Sequence, residues 1–196
     1  MSSLTLPSEV LPALEAFARA LPPPAADLLL LGDGSGTVCS QPAGWACTAY
    51  DRRRQQARLH VGALSSGTNN FAELFPYLQA LWFYHQQPGI HLPVNVHIVS
   101  DSELTVRCGN GQYARRANGC WWAALAWFEE QGYRLQWQHV ARNSTPWNHL
   151  ADLLAGRQRQ LLVAELPAVT DEACGWLRPR RPDPALWTCQ YSQATT

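Results

Sequence analysis

Four acidic residues carry the chemistry this chain could do: Asp33, Glu73, Asp101 and Asp152. Asp33 ends the apolar run 28–32, and Asp101 follows the apolar run 94–100. Glu73 and Asp152 lie near the starts of two amphipathic helical stretches. Carboxylates beside buried elements raise the energy of the fold unless something compensates them. Four of them drawn together repel, and a divalent cation is the usual remedy. The chemistry indicated is metal-dependent work on phosphate. Hydrolysis of a phosphodiester needs a nucleophilic water and a stabilised leaving oxygen, and two ions about 4 Å apart supply both. Mg²⁺ suits such a set because it takes oxygen ligands and keeps several waters.

Each acid also has a plainer reading. Asp33-Gly34 is a common turn dipeptide. Glu73 could be a first-turn acid favoured by the helix dipole. Asp101 before Ser102 could belong to a helix cap, and Asn69 or Asn70 could cap the helix after them. Asp152, one turn into its helix, could face solvent. Gly32-x-Gly34-x-Gly36 invites a nucleotide-loop reading, but Thr37 stands where the dinucleotide fingerprint needs Gly, and no Gly-Lys-Ser/Thr follows.

The elements that must position these acids are readable from periodicity. Residues 8–20 read as a short helix, with Val10, Leu11, Leu14, Phe17 and Ala18 at helical spacing. Pro22-Pro23-Pro24 ends it as a stiff linker. Strands are expected over 27–33, 44–50 and 57–64, joined as an antiparallel meander, with Arg52-Arg53-Arg54 at a solvated hairpin tip. A helix to about residue 86 follows, with Pro76 near its start, where a missing N–H is tolerated. The near-continuous apolar run 94–100 predicts a strand buried on both faces. Helices over 101–108 and 119–131, a strand over 133–140 and a helix over 146–160 complete the order. Trp121, Trp122, Leu125 and Phe128 should face inward, as should Leu150, Leu153, Leu154 and Leu161 on the last helix. The expected fold is α/β: a five-stranded mixed sheet, a three-strand meander plus two further strands, with helices on both faces. Residues 1–26 form an N-terminal helical extension and linker, 27–160 the catalytic domain, and 161–196 a C-terminal extension whose role the sequence does not give.

Composition narrows the class. The chain has 196 residues, 46% hydrophobic and 15% charged, which is globular rather than disordered. Net charge is zero, so any nucleic-acid contact must come from a local patch. All basic residues are Arg. The six Cys form no Cys-x-x-Cys pair, which argues against zinc. No stretch approaches the ~20 apolar residues of a membrane helix. Glu9 and Glu15 spoil a signal-peptide reading. A cytoplasmic monomer with free thiols is the expectation, and the sequon Asn143-Ser144-Thr145 would matter only in a secreted protein.

Asp33-Gly34-Ser35-Gly36 after the first core strand, Thr68-Asn69-Asn70-Phe71-Ala72-Glu73-Leu74 opening the first core helix, Val99-Ser100-Asp101-Ser102 ending the fourth strand, and His139-Val140-Ala141-Arg142 followed by Asn148-His149-Leu150-Ala151-Asp152 form an ordered series. This series resembles type 1 ribonuclease H over roughly residues 27–160. The resemblance implies an endonuclease that cuts the RNA strand of RNA–DNA hybrids with two Mg²⁺ ions, or Mn²⁺ in their place, leaving 3′-hydroxyl and 5′-phosphate ends. It implies that Asp33 bridges both ions, that Glu73 and Asp101 hold the leaving-group side, and that Asp152 holds the nucleophile side. It implies contacts to the RNA 2′-OH from the backbone of Gly34, Ser35 and Gly36, and from Asn70 with Asn69 beside it, with Ser102 also near the substrate.

The chain departs from the family at two places. Many members carry a mobile His before the last acid; here Arg142 is the residue expected in that role, as in a subgroup with a Val-x-Arg…Asn-x-x-Ala-Asp pattern, and His139 reads as a structural strand residue. The Lys-rich protrusion of some members is missing, with Arg107, Arg115 and Arg116 as a thinner substitute. A non-catalytic module on the same fold, or a related resolvase, transposase or exonuclease, are the alternatives.

Overall fold

The computed structural model describes residues 2–21, 26–37 and 41–165. Expectations for the linker prolines and for 166–196 lie outside these residues.

The alternating side chains of one strand set the layers. Strand β2 (Leu28–Ser35) sends Leu28 and Leu30 into one apolar layer and Leu29 and Leu31 into another, and all four are buried. The first layer is built with helices α2 (Asn69–His85) and α4 (Gly119–Glu130), and the second with α1 (Leu11–Ala20). Helices therefore cover both faces, as the continuous apolar runs of β2 and β5 (Val94–Ser100) require. Strands β3 (Gln41–Asp51) and β4 (Gln56–Gly67) extend the meander antiparallel from β2, while β5 and β6 (Tyr133–His139) run parallel to it. Helices α2, and then α3 (Glu103–Gly109) with α4, make the crossovers.

The sheet has six strands rather than the expected five, in the order β1-β4-β3-β2-β5-β6. The extra strand, β1 (Ser2–Thr5), pairs antiparallel with β4 from Ser2–Val61 to Thr5–Arg58. Three of its residues are polar, so it has no apolar alternation to reveal it. It forms because β4 offers a row of backbone groups at the sheet edge. With α1 packed on the second layer, the N-terminal segment belongs to the same sheet and core.

Three further expectations need correction. The cap of α2 is Thr68, whose hydroxyl accepts from the Phe71 amide at 3.3 Å; Asn69 and Asn70 lie inside the helix. Pro76 stands within α2, not near its start. The last helix, α5 (Pro146–Glu165), buries Ala151 and Ala155 and leaves Leu153 and Leu161 exposed, at 56% and 49%. The reason is proximity: a side chain on Gly44 of β3 would begin 1.9 Å from the Ala155 carbonyl, so only small residues fit between α5 and the sheet.

The Arg52–Arg54 tip is not simply solvated. Arg52 bonds Glu15 of α1, Arg53 bonds Asp27 and the carbonyls of His91 and Pro93, and Arg54 bonds Gln87 and the Pro88 carbonyl. Planar guanidinium forks bind several oxygens at once, and here they staple the hairpin to three other segments.

Candidate active site

Parallel register places the first two acids. The last paired residues of β2 and β5 are Leu31 and Val99, and two residues beyond each come Asp33 and Asp101. Buried Tyr77, on α2, braces this end of the sheet: its hydroxyl lies 2.7 Å from the Gly32 carbonyl and 3.0 Å from that of Val99. Tyr77 was not singled out from the sequence. Its spacing of four from Glu73 puts both on one face of α2, which is the signal that could have found it.

Glu73 reaches the same point because β2 meets α2 at backbone distance. A Cβ on Gly34 would lie 2.1–2.4 Å from Ala72 and Glu73 backbone atoms, so no other residue fits there unshifted. Pro76 contributes, since it has no amide to give to the carbonyl of Ala72. The following loop is then laced to the helix. The Gly36 amide donates to Asn69 Oδ1 at 3.1 Å, and the Asn69 amide donates to the Thr37 carbonyl at 2.9 Å. The small residues of the loop thus serve an internal approach, rather than only the approach of a ligand expected from the sequence. Two of the loop amides are engaged inside the protein, since the Gly34 amide donates to Asp33 Oδ1 at 2.8 Å.

Asp33, Glu73 and Asp101 each offer a carboxylate oxygen, and these three atoms lie within 4.8 Å of one another. Asp33 is 2% exposed. Burial and the neighbouring Asp101 charge push the Asp33 carboxyl above the usual range, and burial and the Asp33 charge do the same to Glu73. Glu73 Oε2 is buried without a hydrogen-bond partner among the described residues. An orphaned carboxylate oxygen among crowded acids is what a hard divalent cation would satisfy, so the residues present fit the implied metal.

Asp152 stands beside this trio rather than within it. Its charge helps raise Asp33, but its Oδ1 accepts a 2.7 Å hydrogen bond from Arg142 Nη2. The structure therefore brings Arg142 to the fourth acid. His139, exposed at the end of β6, has its Nε2 3.2 Å from the Asp101 carbonyl. Ser102 is the N-cap of α3, its hydroxyl accepting from the Thr105 amide at 3.4 Å.

Asn70 sits three residues before Glu73 on α2 and opens onto a cavity of about 460 Å³. Thr68, Arg116, Asn118 and Trp121 help line it. Asn118, not singled out from the sequence, has a left-handed backbone (φ 59°) and caps α4 through its carbonyl rather than its side chain, and Asn before Gly119 is the composition such a turn favours. Of the other basic residues, Arg107 is bound to Glu103 and Tyr113, and Arg115 lies 4.7 Å over the Trp122 ring. No helix among the described residues is long and apolar enough to cross a membrane.

No protein-family model matches the chain, and no curated protein sequence does. Solved structures do. The N-terminal RNase H domain of a Mycobacterium tuberculosis protein is 18% identical, with a TM-score of 0.58 over 72% of this chain and 99% of that one. LC11-RNase H1, isolated from compost and solved with an RNA/DNA hybrid, is 22% identical, with a TM-score of 0.61 over 69% and 99%. RNase H1 of the archaeon Halobacterium salinarum is 19% identical, with a TM-score of 0.52 over 67% and 96%. At these identities the likeness is one of architecture, and it agrees with the strand order and helix placement described above: the chain has the ribonuclease H-like fold.

Proposed function

We propose that this chain is a metal-dependent endoribonuclease that hydrolyses the RNA strand of RNA–DNA hybrids. The observation that supports this most is the trio Asp33, Glu73 and Asp101 at the joined ends of β2 and β5, with one carboxylate oxygen buried and unpartnered. The ions would be two Mg²⁺, or Mn²⁺ in their place, held by Asp33 with Glu73 and Asp101 on one side and Asp152 on the other. Bound there, they would supply an activated water and a stabilised leaving oxygen, which would give 3′-hydroxyl and 5′-phosphate ends.

The protein's own groups do the rest. Gly34 and Tyr77 hold Asp33 and Glu73 at one point. Asn70, on the same α2 face as Glu73, would read the RNA 2′-OH. Asn69 and the Gly34–Ser35–Gly36 loop would shape that contact, with the carbonyl side of the loop the more available because two of its amides are engaged. Ser102 would act by fixing the α3 start next to Asp101. The cavity bounded by Thr68, Arg116 and Asn118 would take the nucleic-acid backbone, since its mixed lining offers a hydroxyl, side-chain amides and one guanidinium. All four acids come from one chain, so a monomer would suffice.

The test is a gel assay on end-labelled RNA–DNA, RNA–RNA and DNA–DNA duplexes with Mg²⁺, Mn²⁺ or EDTA. The expected result is metal-dependent cutting of RNA in the hybrid alone. Tight hybrid binding without cutting under either metal would instead identify a non-catalytic module, and cutting of DNA–DNA a different nuclease.

A further inference from the structure

The four acids are not prepared alike. Three converge without a paired cation among the described residues, while Asp152 already has one. Arg142 stands in a turn closed by the Ser144 amide on the Ala141 carbonyl at 3.0 Å. Asn143 follows with φ 55°, and its amide donates to Oδ1 of buried Asn148 at 2.6 Å. Asn143 Oδ1 also lies 3.3 Å from His149 Nδ1. Asn148 is one helical turn before Asp152 on α5. The turn bearing the guanidinium and the helix bearing the carboxylate are thus tied by the side chains of Asn148 and His149 on Asn143, so the pair is built in. Yet the Arg142 side chain is 71% exposed and has room to leave. Its charge is stabilised by Asp152 first, and also by Asp33 and Asp101, the acids a cation would use.

We infer that Arg142 is a resident counter-cation for Asp152, which a second divalent ion must displace, so that the two ions load in a fixed order. The first ion enters at Asp33, Glu73 and Asp101. The second enters at Asp152 only as the guanidinium swings out. This rests on the proposed two-ion reading and adds a function for Arg142 in it: a positioning residue that sets how much free metal the enzyme needs. An exposed ion pair resists displacement weakly, so removing the guanidinium should tighten second-ion binding by roughly 3- to 10-fold.

The test is a Mn²⁺ titration of the full chain without nucleic acid, following the electron-paramagnetic-resonance signal of free Mn²⁺. Wild type should bind one ion more tightly than the second. Arg142→Ala should tighten the second constant by that factor and move the first by less. Asp152→Asn should weaken or remove the second ion, and adding Arg142→Ala to it should change nothing. A second constant that is unmoved or weakened in Arg142→Ala would overturn the inference, as would tightening that persists in the Asp152→Asn background. Failure of every protein to bind any ion would overturn the metal reading itself, and this inference with it.

Discussion

Glu15 and Glu73 are both acids set against the sheet, and the protein treats them in opposite ways. Glu15, on α1, accepts from Arg19, from two nitrogens of Arg52 and from the Tyr50 hydroxyl, at 2.7–3.0 Å. Those donors, Arg52 foremost, hold its carboxyl down at about 2. Glu73 has a buried oxygen with no donor and two other acids beside it, and its carboxyl is pushed up. An acid that joins elements is saturated with donors. An acid poised for a ligand is left wanting, at a cost in stability that the rest of the fold must offset.

Removing charge at the two places should therefore have opposite consequences. The largest effect is expected for Asp33→Asn. Losing several kcal/mol of charge stabilisation, at about 1.4 kcal/mol per decade, should slow hybrid cleavage by ~10³-fold or more. In EDTA the same variant should melt above wild type, because a repelling carboxylate is gone. Unchanged turnover in a single-turnover assay would refute the site assignment.

Gly34→Ala attacks the convergence itself. Its methyl must push Ala72 and Glu73 away, so stability should fall by about 1–3 kcal/mol, as in other overpacked sites. Cleavage should drop by ~10- to 100-fold as the acids separate. Normal kinetics at saturating metal would show that the close approach is not needed. Glu15→Gln should do the reverse of Asp33→Asn: stability lower by about 1–2 kcal/mol by urea unfolding, with cleavage at 25 °C retained.

A gentler way to separate the regions is pH. The depressed Glu15 contributes stability that is present above its ordinary value of about 4.5 and is lost as pH falls toward 2. The raised Asp33 and Glu73 contribute oppositely: burial and the charges of neighbouring acids raise both, so stability is full below their ordinary values near 4 and declines as pH rises above them. Urea unfolding in EDTA should show stability falling from pH 5 to 9, and Mg²⁺ should remove most of that slope. A flat metal-free profile would mean the acids do not strain one another.

Much of this was legible in the sequence because the signals were local and strong. The runs 28–32 and 94–100 are apolar enough to be buried strands, and their parallel pairing brings the acids that end them to one sheet end. What was hidden depended on neighbours distant in the chain. Strand β1 has no pattern of its own and exists through the β4 edge. Helix α5 buries alanines and exposes leucines because Gly44 draws it close, which no periodicity within α5 discloses. The tip arginines found carbonyls dozens of residues away. Asn69 looked like a cap because Asn caps well, but Thr68 was one residue earlier and the amide of Asn69 was claimed by Thr37.

Pro76 gives α2 a notch rather than a flaw. By withholding an amide from Ala72, it leaves a carbonyl facing the bare backbone of Gly34, and the strand end beds into the helix there. Residues 34 and 76 thus act as lock and key without bearing any reactive group. On propensity alone, Pro76→Ala should strengthen a helix interior by about 3 kcal/mol. Here it should return far less, because the restored bond would draw the helix out of its seat. Its effect should also depend on whether residue 34 is Gly or Ala. Strict additivity in that double-mutant cycle would show that the notch and the glycine were acquired independently.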